Sequence, residues 1–365
     1  MIRFSDLKKT QPSGGASTLA ASDGGGRVPT KPGRISQLPP EVLSGAGSAA
    51  GPGNVYEDAS FYLTKLFAAV KGRRRFGLKP GFQIVRQISE SAAFQDALFV
   101  EAIQRDDSAK YLINKSINVA IYAVRLADQL GYARPAQMEI GLAGLLHEVG
   151  MCAISDRIVH KKEQLSHSEF GQIRRHSEAG YEILKDHSDR HPYLAEVALQ
   201  VHERIDGSGY PQGLKGDEIH EYAQIIGLVD VYEALTHSRP QRDRFSPFAA
   251  VKDLIRTGKS RFAKDHLKAL LTAFSIFPIS TCVRLNSNAV GRVIATYPDQ
   301  PMRPKLQIEY DSQGRKVLTE RVVNLPDNSL LFIVDSVEPD DIEQLARGVS
   351  SHRPNQSFKE GISAG

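Results

Sequence analysis

The sequence predicts a mainly α protein with a small β module near its C-terminal end. Two observations carry that prediction. Between residue 109 and about 271, apolar residues recur at three- and four-residue spacing with little period-two alternation. After Pro278 the pattern changes to short β-prone runs separated by Asn, Gly and Asp. The 365 residues suffice for two domains, or for one with additions, and a hydrophobic content of 41% makes a sizeable core possible.

Residues 1–55 are dominated by Gly, Ser, Ala and Pro. Such a segment buries too little apolar surface to offset its ordering entropy, which predicts a disordered tail. Residues 56–108 read as an N-terminal helical region. Within it "DASFYLTKLFAAVKG" sets Phe61, Leu66 and Phe67 on neighbouring turns. The cluster Lys71, Arg73, Arg74 and Arg75 has no interleaved aromatics and reads as a solvated loop between helices.

Residues 109–275 form the predicted helical domain. "INKSINVAIYAVRLADQLG" carries Ile113, Ile117, Ile121 and Val124 at helical spacing and ends at Gly131. "SHSEFGQIRRHSEAGYEIL" opens with Ser166 and Glu169 in capping-box spacing. "YLAEVALQVHERI" and "EYAQIIGLVDVYEALTH" supply two more helices. Residues 276–340 read as the β module, with one hairpin around "NSNAVG", a second in "PKLQIEYDSQGRKVL" and a further strand in "SLLFIVDSV". Residues 341–365 read as a flexible C-terminus.

Composition excludes several classes. A net charge of +4 is small for this length and argues against binding a nucleic-acid polymer. No apolar run reaches 18 residues, so no membrane span is expected, and the N-terminus lacks the apolar segment of a signal peptide. Cys152 and Cys282 allow at most one disulfide, which suits a reducing cytoplasm. Cys152 reads as a small buried filler.

Certain polar residues sit where apolar ones are expected. His147 and Glu148 follow Leu142, Leu145 and Leu146; His176 follows Ile173 by three; His202 follows Ala198 by four; Asp230 follows Ile226 by four. A single histidine on an apolar face is usually a hydrogen-bonded core residue. Five inward-facing polar residues on four helices favour a shared site, because a buried carboxylate is costly unless paired or metal-bound. Imidazole with carboxylate suits Zn, Mn or Fe.

These residues resemble the HD-GYP family, a branch of the HD phosphohydrolases. The resemblance runs from about Tyr111 to Asp335 and rests on "LLHEVG", "RRHSEAGYEIL", "VHERIDGSGYPQGLKGDEI", "IIGLVDVYEALTHSRP" and "FPISTCVRLNSNAVGRVI". It implies an HD-type helical bundle holding two or three metal ions and hydrolysing cyclic di-GMP with a metal-bound hydroxide. Carried over by position, His147, Glu148 and Asp230 take the catalytic places. The metal ligands would be His147, Glu148, His176, His202 and Asp230. Gly209, Tyr210 and Pro211 form the rim, and Arg239 and Arg242 take places that meet nucleotide phosphates.

The match is incomplete. Lys115 stands where the family places a ligand histidine, Glu148 replaces the Asp of the His-Asp pair, Met151 replaces a phosphate-contacting lysine, and Val201 replaces the first of two adjacent histidines. Tyr111 stands where trinuclear members carry a glutamate, which argues against a third ion. Each ion of a pair would lose one ligand. The Lys115 ammonium, aimed at Glu148 and Asp230 from roughly 3–4 Å, could stand in for a metal's charge. It would supply no Lewis acid.

The expected protein is therefore a cyclic di-GMP signalling protein whose hydrolysis is weak or lost, acting by binding the nucleotide, a related nucleotide or a signalling partner. The expected cofactor is one or two divalent ions (Fe, Mn or Zn), or none. The alternatives are an active phosphodiesterase with a reduced ligand set, and hydrolysis of another nucleotide phosphate.

Overall fold

The computed structural model describes residues 52–90, 92–105, 110–159, 161, 163, 165–237, 245–274, 277, 281–297 and 300–337. Three helices come first: α1 (Pro52–Lys71), α2 (Lys79–Ile88) and α3 (Ala92–Gln104). Helix α1 begins four residues before the expected start at Tyr56, and the remainder of the predicted tail, residues 1–51, lies outside the described residues. The predicted flexible segment 341–365 lies outside them as well. Of the three apolar residues placed on α1, Leu66 is buried and Phe61 is 63% exposed, so the buried stripe runs through Tyr56, Ala59, Leu63 and Leu66 instead. Gly72 to Leu78 connects α1 to α2 without regular structure, as the basic cluster predicts, and Arg73 takes a left-handed φ of 51° there.

Helix α4 (Tyr111–Gln129) is the axis of the bundle. It is buried without interruption from Asn114 to Val124, so no face of its middle turns meets water. A helix enclosed on all sides must satisfy any polar group it carries from its neighbours. Helix α4 packs on α5 (Arg134–Leu146) and on later helices of the bundle. Gly144 lets α5 approach closely, since a Cβ there would lie 3.2 Å from the Ala120 Cα.

The segment read as one helix from Ser166 is two: α6 (His167–Arg174) and α7 (His176–Leu184), with Arg175 between them. The capping box forms in both directions: the Glu169 N–H donates to Ser166 Oγ at 3.3 Å, and the Ser166 N–H donates to Glu169 Oε2 at 2.8 Å. Helix α8 (Pro192–Gln200) stops short of the expected end, leaving His202 in the turn that follows. Helices α9 (Glu221–Thr236), α10 (Pro247–Thr257) and α11 (Lys264–Ala273) complete the helical part.

The β module is a five-stranded antiparallel sheet in the order β4-β3-β2-β1-β5. Its strands are β1 (Cys282–Leu285), β2 (Val290–Ala295), β3 (Lys305–Tyr310), β4 (Val322–Asn324) and β5 (Ile333–Ser336). The hairpin at "NSNAVG" joins β1 to β2, with Asn288 at φ 66°, a conformation Asn tolerates. The second hairpin differs from expectation. "RKVL" adds only a bridge at Lys316, and β3 pairs with β4 further along the chain. Val283, Leu285, Val293, Leu306 and Ile308 join the same apolar core as the helices, so one face of the sheet is buried on the bundle.

Both cysteines are free thiols. Cys152 is half-buried, where full burial was expected, and its partial burial pushes the thiol up to about 11. No described helix is long and apolar enough to cross a membrane.

Candidate functional site

Five segments of the bundle bring polar side chains to one buried place. His147 is the C-cap of α5, Glu148 follows it, His176 opens α7, His202 lies past the end of α8, and Asp230 sits within α9. All five are buried, and so is Lys115 on α4.

The histidine tautomers follow from their backbone contacts. His147 Nδ1 lies 2.6 Å from the Gly144 carbonyl, and His176 Nδ1 lies 2.7 Å from the Ile173 carbonyl. A carbonyl only accepts, so each Nδ1 carries a proton, and Nε2 is the ring nitrogen turned to the cluster. His147 Nε2 lies 3.6 Å from both Glu148 Oε1 and Asp230 Oδ1. It is fully buried and has no hydrogen-bond partner among the described residues. His176 Nε2 lies 2.9 Å from His202 Nε2 and 3.7 Å from Glu148 Oε2. His202 Nδ1 is 3.8 Å from Asp230 Oδ2. Burial, then the neighbouring His176, holds His202 well below the usual histidine range, so its ring is neutral.

Lys115 Nζ lies 2.5 Å from Glu148 Oε1 and 3.0 Å from Asp230 Oδ1. Burial by itself raises both carboxyls. The Lys115 ammonium and the neighbouring histidines together outweigh it and hold both well below the usual carboxylate range. The triad leaves a formal charge of −1 in a place closed to water. The lysine engages the same two oxygens that face His147.

Two groups are arranged so that a metal ion could be held. One is His147, Glu148 and Asp230; the other is Glu148, His176 and His202. The donors suit a divalent transition metal in both. They fit differently, because an ammonium already sits on the carboxylates of the first group.

The turn after α8 carries the remaining residues. Val201 is its fully buried C-cap. Tyr210 stacks on His202 with ring centroids 4.9 Å apart and an interplanar angle of 15°. The Tyr210–Pro211 peptide bond is cis. Gly209 packs where a side chain could not, since a Cβ would fall 2.3 Å from the Glu203 Cα. Met151 is half-buried in the 3₁₀ turn Val149–Ala153, and Tyr111 opens α4 half-buried. Arg239 and Arg242, assigned above to nucleotide phosphates, lie outside the described residues.

Sequence reasoning passed over three residues that shape this site. The buried Glu203 carboxylate accepts hydrogen bonds from the N–H groups of Gln212, Gly213 and Leu214 at 2.7, 3.0 and 3.1 Å, which fastens the rim loop to the end of α8. Its signal was adjacency to His202 before a glycine-rich turn. The Arg174 guanidinium lies 4.8 Å from the centre of the Tyr210 ring, and nothing local in the sequence marks that contact. Gly150 allows the turn after Glu148 to abut α7, because a Cβ there would meet the His176 carbonyl oxygen at 1.9 Å. Glu203→Ala is expected to cost about 2–3 kcal/mol, the scale of leaving buried amides without their acceptor. Limited proteolysis should then cut within 207–214, where the wild type resists.

Comparison with known proteins follows the same lines. Residues 97–265 match the family described as HD domain, and residues 282–345 match the KOW domain associated with HD domain. The chain is 31% identical over 242 residues to the cyclic di-GMP phosphodiesterase PA4108 of Pseudomonas aeruginosa, covering 66% of this chain and 58% of that protein. It is 30% identical over 211 residues to the cyclic di-GMP phosphodiesterase PdeB of Borreliella burgdorferi, covering 58% of this chain and 55% of that protein. The 3'3'-cGAMP-specific phosphodiesterase 2 of Vibrio cholerae is 34% identical over 188 residues, covering 51% of this chain and 35% of that protein. The chain thus spans somewhat more than half the length of the first two relatives. The His-Glu pair closing α5, the histidines opening α7 and following α8, the Asp within α9 and the Gly-Tyr-Pro turn share one buried cluster and its rim, and with these matches they place the chain in the HD-GYP family of HD-domain proteins.

Proposed function

We propose that this chain is a cyclic dinucleotide-binding signalling protein of the HD-GYP class in which phosphodiester hydrolysis is weak or lost. The observation that carries this reading is the Lys115 ammonium between Glu148 Oε1 and Asp230 Oδ1. When bound, a divalent ion supplies a Lewis acid and a hydroxide at neutral pH. An ammonium in the same place supplies positive charge alone. Val201 offers an aliphatic side chain where a ligand is expected, and Met151 offers no charge for a phosphate. The ring of Tyr210 and the loop fastened by Glu203 are retained and can serve recognition without catalysis. Cyclic di-GMP is the first candidate ligand, with a mixed cyclic dinucleotide such as cGAMP next, since relatives are named for each.

A second reading, an active phosphodiesterase with a reduced ligand set, is favoured by one observation: Glu148, His176 and His202 still converge within ligand range of one another.

The test is to measure cyclic di-GMP binding by calorimetry and its hydrolysis with added Mn²⁺ or Fe²⁺. Binding without accumulation of linear dinucleotide is expected. A protein with Lys115→His, Val201→His, Glu148→Asp and Met151→Lys together should hydrolyse it faster by on the order of 100-fold or more, the scale of one restored electrostatic contact to the transition state. Turnover by the wild-type chain at rates matching that quadruple variant defeats the proposal.

A further inference from the structure

We propose that this chain holds a single divalent transition-metal ion, on Glu148 Oε2, His176 Nε2 and His202 Nε2, with the Lys115 ammonium in place of a second ion. The inference deepens the reading above and rests on its assignment of Lys115.

The argument starts from how Glu148 divides its two oxygens. Oε1 faces Lys115 at 2.5 Å and His147 at 3.6 Å, whereas Oε2 faces His176 at 3.7 Å. The carboxylate therefore separates two compartments. On the Oε1 side, the ammonium contacts both carboxylates, so a cation there would have to displace it. On the Oε2 side stand the imidazoles of His176 and, beyond it, His202.

The two imidazoles on that side point their Nε2 atoms at each other across 2.9 Å. His176 Nδ1 is committed to the Ile173 carbonyl, so its Nε2 is a bare lone pair when the ring is neutral. Stacking on Tyr210 holds the His202 ring in plane, and the close approach of the α7 backbone to Gly150 sets α7 against the turn that follows Glu148. Two imidazole nitrogens and one carboxylate oxygen, positioned by such contacts, form a three-ligand set with an open fourth place, the donor pattern of an open zinc site.

Charge supports the same count. The formal charges of Glu148, Asp230 and Lys115 sum to −1, so one dication brings these groups to +1. Two dications beside a retained ammonium would bring it to +3 in a buried place, which is strongly unfavourable.

The experiment uses the full-length chain. It is stripped with chelator, reloaded with Zn²⁺, desalted and analysed for metal per folded protein. The expected result is one zinc per chain, with Co²⁺ substitution giving the intense visible bands of a low-coordinate site. His202→Ala should weaken zinc binding by about 100-fold or more, whereas His147→Ala, on the lysine-filled side, should retain one zinc. Lys115→His should raise the count from one to two. Circular dichroism checks that each variant is folded, and the wild-type stoichiometry and Co²⁺ spectrum stand independently of the variants. Zero or two zinc ions per wild-type chain, or loss of zinc in His147→Ala but not in His202→Ala, overturns the inference. The hydrolysis assay separates this from the functional reading. One ion with robust turnover sinks the reading and leaves the inference standing, no ion and no turnover does the reverse, and two ions with turnover sink both.

Discussion

Lys115→Met is expected to destabilise the protein by about 3–5 kcal/mol at neutral pH, the cost of removing one partner from a buried ionic group. The methionine fills nearly the same volume and leaves the helix intact, so the loss is electrostatic. Glu148 and Asp230 would remain buried with no cation between them. Urea denaturation of both proteins in chelator reads the difference. The pH dependence has a definite sign. Burial pushes both carboxyls up, and the ammonium, as the largest opposing charge, holds them low together with the neighbouring histidines. Their contribution is therefore complete above their unfolded values, about 3.9 for Asp and 4.3 for Glu. It is lost as pH falls through the lower folded values. The gap between wild type and Lys115→Met should thus be widest near neutral pH, shrink as acid protonates the variant's carboxyls, which burial raises once the ammonium is gone, and close only as pH falls through the lower folded values of the wild type. A variant as stable as wild type at pH 7 in chelator would show that the lysine does not balance these charges.

Gly150→Ala is expected to cost about 3 kcal/mol or more, at the upper end for overpacking, because the obstruction is backbone. The added Cβ would lie 1.9 Å from the His176 carbonyl oxygen and 2.5 Å from the Gly180 nitrogen, so the turn or α7 must move. Either movement separates Glu148 from His176. Thermal unfolding should show the destabilisation, and zinc affinity of the folded fraction should fall together with it. A stable variant with unchanged zinc affinity would mean that this close approach does not position the site.

Several elements were legible from residue spacing, each for a physical reason. Helix α4 was visible because Ile113, Ile117, Ile121 and Val124 share a face, and its end was visible because Gly131 takes a φ of 81°. The Ser166–Glu169 box marked the start of α6 through two local hydrogen bonds. The break at Arg175 was not legible. It separates α6 from α7 near the contact with Gly150, a residue 25 positions earlier that carries no helical signal. The second hairpin was misjudged for a similar reason, since β3 finds its partner in β4, after "RKVL".

Apolar periodicity dictated a helical bundle followed by a β module, and it singled out the polar residues that interrupt buried stripes, because burial demands a pattern that any single helix or strand must display locally. Which oxygen of Glu148 meets Lys115 and which meets His176, and how Glu203 fastens a loop nine to eleven residues further on, were settled only by packing. A lysine side chain has a long flexible stem that can reach water or a buried carboxylate from the same helical position. The choice is made by the neighbouring helices, which close the route to solvent and leave two acidic groups as the ammonium's partners.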